Sequence, residues 1–400
     1  MSANTWQQAE GFFLLMVALF LPAFEAPKNI ALVFYLGFWT INRYRCTDWG
    51  GRWSGFDSWT LAMIASAYVA AAWGAFVPAK GLAAANDVLT YGLLFMAVRR
   101  ADYGPALIYR VLAVVVMATL ATLAWGYWGL WGTHERQTLG LHSVGHVNHS
   151  AIYMAIVFTV ALVVAWVLRG RARVWAGLAA CLLWASLYIT QARGAIIPVL
   201  AFLLLWFVVR FPQPRDWVKP LLALLLLLGL TLLANPGLLE KTRGNLGAGQ
   251  MGSYRPALAK VSLIAAREFP LFGVGVTNFG KITPELAAAW QDKNGHWFAA
   301  DQLFFASHAH GLYTNTLAER GALGVLPVLG LLILIVMTLV AQRPQVTAAP
   351  LAWVLWGGAL GATTITVVGG LFNTTLHHEH ALLSLLLVGL WLSARRSAAD

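Results

Sequence analysis

The sequence predicts an all-α polytopic membrane protein: about twelve transmembrane helices and one large extracytoplasmic loop containing amphipathic helices. Three observations predict it. Hydrophobic residues fill 59% of the 400 positions and charged residues only 11%, where a soluble chain carries roughly 25% charged. The apolar runs are continuous over about 17–25 residues and lack the alternation of roughly ten-residue barrel strands. Basic residues collect in every second connection, the signature of oriented spans.

The spans run at about 11–25, 28–42, 59–78, 82–98, 104–127, 149–168, 173–191, 194–210, 217–235, 312–341, 350–371 and 379–394, the second short and the fourth only moderately apolar. The opening MSANTWQQAEGFF has no basic n-region and no small-residue cleavage site, so the first span is expected to be retained. One set of connections holds Arg43, Arg45, Arg52, Arg99, Arg100, Arg169, Arg171, Arg173, Arg210, Arg215, Lys219, Arg343, Arg395 and Arg396. The short connections of the other set hold only Lys28, Lys80, Arg136 and Arg193. This bias predicts both termini in the cytoplasm, and it accounts for most of the net charge of +11. It gives no case for nucleic-acid binding. Cys46 falls in a cytoplasmic loop and Cys181 inside a span, so no disulfide joins them.

Between the ninth and tenth spans lies the one long connection, residues 236–311, on the extracytoplasmic side. It opens with NPGLLEKTRGNLGAGQMGSYRP, a linker or cover rich in Gly, Asn and Pro. ALAKVSLIAAREF follows at helical spacing with Lys260 and Arg267 off the apolar face, an amphipathic helix for the membrane surface or the bundle. PLFGVGVTNFG is a Pro/Gly-punctuated turn. With no internal repeat and no separate soluble segment, residues 1–400 are expected to form a single domain.

All ten histidines map to the extracytoplasmic side: His134, His142, His146, His149, His296, His308, His310, His377, His378 and His380. Arg193, at the outer start of the eighth span, lies there too, as do Arg255 and Arg267 in the long loop. Arg193 either snorkels to the headgroups or helps hold an anion, since guanidinium grips phosphate bidentately and a helix start adds positive potential. Arg255 either is a solvated loop residue or does the same at the next helix start. His142, His146 and His149 at helical spacing, and HHEH at 377–380, are metal-type patterns. However, no H-E-x-x-H and no aspartate cluster accompanies them, so no metal and no cofactor is expected. The bland alternative is that these histidines cap helices at the interface. His310, mounted where a span emerges beneath the long loop, is the better candidate for a general base acting on a sugar hydroxyl. His308, His146, His149 and Arg267 are secondary candidates.

TQARGA at 190–195, SYRPALAKVSLIAAREFPLFGVGVTNFG at 253–280 and HAHGLYTNTLAERGALG at 308–324 resemble the O-antigen ligase and O-antigen polymerase superfamily. The elements of the resemblance are Arg193, Arg255, Glu268-Phe269-Pro270-Leu271 with Gly273 and Gly275, and His310 with Leu317, Gly321 and Gly324. HVNHSA at 146–151 resembles the family's Asn-containing start of the sixth span. Where the family often has Asn after the histidine, this chain has Gly311, so an orienting amide is absent there.

The resemblance implies a metal-independent, inverting glycosyltransferase on the periplasmic face of a bacterial inner membrane. Its donor would be undecaprenyl-diphosphate-linked O-antigen, with Arg193 and Arg255 on the diphosphate and His310 as base. Its acceptor would be lipid A-core, making the chain an O-antigen ligase. A polymerase or a protein O-oligosaccharyltransferase of the same superfamily is the alternative. A lipid-linked glycan transporter is the rival of another class, but ionisable residues are sparse in spans six to twelve and no half-to-half symmetry is visible.

Overall fold

The computed structural model describes residues 3–396 apart from 77–80, 137, 143, 191, 211–212, 219–220, 223–224, 227–228, 230–253, 294 and 296–302. The described residues form helices and contain no strand. In chain order they are α1 (Ala3–Phe20), α2 (Glu25–Cys46), α3 (Gly55–Trp73), α4 (Gly81–Arg100), α5 (Pro105–Tyr127), α6 (Val147–Val167), α7 (Arg171–Ile189), α8 (Arg193–Arg210), α9 (Tyr254–Glu268), α10 (Pro284–Lys293), α11 (Leu312–Ala341), α12 (Pro350–Gly369) and α13 (His378–Arg396).

Six of these are long and apolar enough to cross a membrane: α4, α5 with the π-helical turn Trp128–Gly132, α6, α7, α11 and α12. Of the remaining helices at predicted spans, α8 is apolar but short, and others are diluted by polar, small or charged residues, such as Asn4, Gln7, Gln8 and Glu10 in α1, or Lys28, Asn29, Arg43 and Arg45 in α2. Composition alone therefore supports fewer than the twelve spans predicted. Most of the ninth predicted span and of the linker after it, and His296, lie outside the described residues.

The bundle has two chemically distinct ends. At one, the Asp57 carboxylate, fully buried at the start of α3, accepts hydrogen bonds from Ser54 N (2.8 Å), Arg100 Nε (2.9 Å) and Arg99. Arg100 Nη1 also donates to the carbonyl of Trp49 at 2.7 Å. At the other end, Lys28 near the start of α2 pairs with Glu379 near the start of α13 at 2.7 Å, both buried. Removing one partner of such a pair strands a buried charge, at a cost of about 3–5 kcal/mol. These pairs fix which helix ends meet.

Part of the long loop is built into the bundle. α11 breaks at Gly321, which has φ 59° and ψ −159°. The break leaves carbonyls above it and N–H groups below it without helical partners, which apolar surroundings do not tolerate. The segment 270–275 supplies them. Val274 N and Gly275 N donate to the carbonyls of Ala318 and Glu319 at 2.9 and 3.0 Å, while Ala322 N and Leu323 N donate to those of Pro270 and Leu271 at 2.8 and 3.3 Å. On its other side the same segment accepts from Ala75 N and Phe76 N, just past α3. A Cβ at Gly321 would lie 2.4 Å from the carbonyl carbon and oxygen of Leu271, on a backbone that L-residues rarely adopt. Gly321→Ala is therefore expected to destabilise the fold by about 2–4 kcal/mol, the sum of backbone strain and overpacking. Thermal unfolding in detergent checks this, with Gly37→Ala, which has nothing within 4 Å, as the control that should lose nothing.

The predicted amphipathic helix is α9. Leu258, Val261, Ile264 and Ala265 are buried on one face and Lys260 and Arg267 are exposed. Its apolar face does not lie free on a membrane. It forms a second small core with Val274, Phe279, Ile282, Ala287, Trp290, Ala309 and Ala318. Each buried Leu, Val or Ile there contributes roughly 1.5–3 kcal/mol. Trp290 and Ala287 belong to α10, which the sequence pattern had not marked as an element. Lys293 at its end pairs with Glu268 at the end of α9 at 2.5 Å.

Candidate active site at the histidine-bearing end

Every described histidine sits at the bundle end where α1, α3, α5, α7 and α12 finish and α2, α4, α6, α8, α11 and α13 begin. Three short stretches meet there. His146 is the N-cap of α6, its Nδ1 accepting from Asn148 N at 3.3 Å, and His149 follows within the first turn. His377 and His378 open α13, with His380 one position beyond Glu379. The His149 ring lies 5.1, 5.7 and 6.0 Å from the rings of His380, His377 and His378. The third stretch, 307–310, leads into α11, and its His308 and His310 rings are 4.0 Å apart.

His310 is held firmly. Its φ is 50°, in the left-handed region, a conformation that costs on the order of 1–3 kcal/mol and persists where surroundings impose it. Ala309 N donates to Asn315 Oδ1 at 3.0 Å, Gly311 is the N-cap of α11, and Leu312 N donates to the carbonyl of Gly370 at 2.7 Å. An amide from the first turn of α11 thus ties down the backbone just before the histidine. A Cβ on Gly311 would meet Thr314 Oγ1 at 2.7 Å, so the turn is built around glycine.

Arg255, in the first turn of α9, reaches the start of α8. A Cβ on Gly194 would lie 3.5 Å from Arg255 Nη2 and 2.7 Å from Asn373 Nδ2. The guanidinium carbon stands 5.4 Å from the centre of the Phe372 ring, a cation–π contact. Two helix N-termini, at Arg193 and Tyr254, therefore converge with a guanidinium between them, and each terminus carries about half a positive charge. Arg193 opens α8; its side chain lies outside the described residues. Arg267 is exposed in the last turn of α9, about 18 Å from Arg255 at the rise of an α-helix. The structure does not bring it to this group.

The charge of Arg255 is felt at His310. Burial, then His308, then Arg255 and His146, push the His310 imidazole down to about 4. Burial and His146 also lower His308, whose Nδ1 lies 3.0 Å from Ser307 Oγ. Burial and the neighbouring His378, His149 and His308 bring His377 down to about 3. His308, His310 and His377 are therefore held neutral at pH 7, able to accept a proton and poor competitors with the arginine for an anion. Among the described residues no three His, Cys, Asp or Glu side chains converge in a way that would hold a metal ion.

Sequence reasoning missed residues that stand in the same place. Glu319 is buried and accepts from Phe279 N at 3.3 Å. Asp87 of α4 lies 3.8 Å from His378. Arg320 is buried and donates to the carbonyl of Met63 at 2.7 Å and to Ser66 Oγ at 2.5 Å. Glu319 and Arg320 fall inside the LAERG run that carries the resemblance, and adjacent opposite charges in an otherwise apolar span were the available signal.

No curated protein matches the chain. A family model described as O-antigen ligase matches residues 178–329. That stretch runs from within α7 to within α11 and contains Arg193, Arg255, the docked 270–275 segment, His308 and His310; His146, His149 and 377–380 fall outside it. Over residues 178–329 the chain is thus similar to the O-antigen ligase family.

Proposed function

We propose that the protein is an O-antigen ligase of the bacterial inner membrane. It transfers O-antigen polysaccharide from undecaprenyl diphosphate to lipid A-core on the periplasmic face, completing lipopolysaccharide. The single observation that carries this reading is the position of Arg255, its guanidinium over the start of α8 while its charge reaches the His310 ring. An anion holder and a proton acceptor side by side are what glycosyl transfer from a diphosphate needs.

The donor diphosphate binds between the starts of α8 and α9, where Arg193 and Arg255 oppose its charge. The acceptor hydroxyl oxygen attacks the anomeric carbon from the opposite face, and its proton passes to His310. The bond from the anomeric carbon to the diphosphate oxygen breaks, its electron pair leaves with undecaprenyl diphosphate, and the configuration inverts. The two arginines stabilise the charge that grows on the leaving group. Holding two membrane-bound substrates against one rigid end of the bundle supplies much of the remaining acceleration.

The test is transfer by the purified protein from undecaprenyl-diphosphate-linked O-antigen to lipid A-core in EDTA. A glycan ladder on lipid A-core, with undecaprenyl diphosphate released, is the expected result. Longer chains left on undecaprenyl diphosphate, with lipid A-core unmodified, would make the protein a polymerase and overturn the acceptor assignment. A ladder abolished by EDTA and restored by a divalent cation would overturn the metal-independent mechanism.

A further inference from the structure

Beside His308 lies a cavity of about 240 Å³ between α4, the start of α6, the start of α11 and residues 374–377, with no residue of α8 or α9 in its lining. Asp87, His149, His308, Asn315, Glu319 and His377 are among the residues that line it. Polar lining on this scale is costly inside a helical bundle, because each buried donor or acceptor without a partner forfeits about 1–3 kcal/mol. Several such atoms are present. His149 Nδ1, His377 Nδ1 and Arg320 Nε are buried with no hydrogen-bond partner, and all three residues border the cavity. Groups of this kind call for an occupant.

The lining also says what kind of occupant. Arg320 spends a guanidinium nitrogen on the α3 backbone and Ser66. The acidic residues on the wall are Asp87 and Glu319. A diphosphate would face those carboxyl groups, whereas a sugar ring presents hydroxyls that donate to carboxylates and accept from imidazole and amide N–H groups. The size accommodates a single ring and not a lipid chain. The two substrates of a transfer reaction would then lie on opposite sides of the histidine pair, diphosphate toward Arg255 and hydroxyls toward His308.

We propose that this cavity is the acceptor subsite and takes one neutral sugar ring of the acceptor, placing a hydroxyl beside the His308–His310 pair. The inference rests on the glycosyl-transfer reading above and adds where the acceptor sits. It also gives His308 a separate part: it meets the acceptor sugar, while His310 faces the anion site.

Ala84 of α4 borders the cavity and Arg193 and Arg255 do not, so Ala84→Phe fills it from a helix surface and leaves the anion site alone. Two quantities are measured: transfer rates against lipid A-core concentration at saturating donor, and the thermal shift on adding undecaprenyl diphosphate alone. The expected result is an acceptor KM raised by about tenfold or more, the equivalent of one lost hydrogen bond to a charged group, with an unchanged thermal shift. Unchanged acceptor kinetics would overturn the proposal. A thermal shift lost in step with acceptor use would assign the cavity to the donor and overturn it too. Should Ala84→Phe not fold, Asp87→Asn decides by the same two measurements, since it keeps the side-chain volume and removes one carboxylate. Failure of the underlying reading looks different: the wild-type protein itself would transfer nothing from the donor to any lipid acceptor, and the subsite would fall with it.

Discussion

His310→Asn is expected to reduce glycan transfer by at least about 100-fold, the lower end of what a positioned general base contributes, while the melting temperature in detergent stays close to that of the wild type. Asparagine is the informative substitution because His310 has φ 50°. Asn adopts the left-handed region with little penalty, whereas Ala adds backbone strain to the loss of the imidazole. A collapse of activity in His310→Asn with the fold intact therefore isolates the proton acceptor. The pH profile carries a second expectation. Burial, His308 and Arg255 hold the imidazole at about 4 in the free protein, so the acid limb of kcat/KM should fall well below the 6.5 of an ordinary histidine. Such a group is a feeble base, and the donor corrects that. A bound diphosphate opposes the charge of Arg255 and favours the protonated imidazole, which raises its pKa toward working pH. The acid limb of kcat should accordingly lie at higher pH than that of kcat/KM. Coincident limbs near 6.5 would mean that neither the burial nor the arginine acts on the catalytic group, and would remove His310 from the mechanism.

The apolar spans and the amphipathic helix were legible because they rest on local periodicity. Leu258, Val261 and Ile264 recur at helical spacing, and that spacing is all α9 needs. The short α10 was not, since LAAAW carries too little pattern in ten residues to mark a helix. The glycines of PLFGVG read as a turn, which is their local effect. Their larger role, completing the broken ladder of α11, joins residues about fifty positions apart and has no local signature. The histidines were gathered onto one end of the bundle by counting spans alone. That His149 would stack on His377 depends instead on how the first turn of α6 meets that of α13, a tertiary fact. Arg255 and Arg267 illustrate the same limit in reverse. On one short helix they look like a pair, yet twelve residues of rise and opposite roles at its two ends separate them. Asp87 escaped notice because a single acid in an apolar run gives no hint of whether it caps a loop or lines a cavity; the Glu319-Arg320 pair marked its span as unusual without saying what it borders.

Arg255→Ala is expected to lower kcat/KM for the lipid-linked donor by about 10–100-fold, the loss of one or two charge-assisted hydrogen bonds to a phosphate group. Arg255→Lys should recover only part of it, because an ammonium keeps the charge but not the forked donor geometry. A loss of that size alone would also follow from a damaged fold, so the pH profile again decides. The positive charge of Arg255 is one of the causes that hold His310 down. Without it the free protein's imidazole becomes easier to protonate, and the acid limb of kcat/KM must move to higher pH. The neutral variant should also lose the gap between the kcat and kcat/KM limbs, because the diphosphate no longer has that charge to neutralise. Arg267→Ala, on the exposed far end of the same helix, removes an equal charge about 18 Å away and should shift neither limb. If both variants displaced the profile equally, the coupling would be the diffuse field of a basic surface. If only Arg255→Ala does, the anion site and the base form one unit, and the start of α9 is where the donor diphosphate binds.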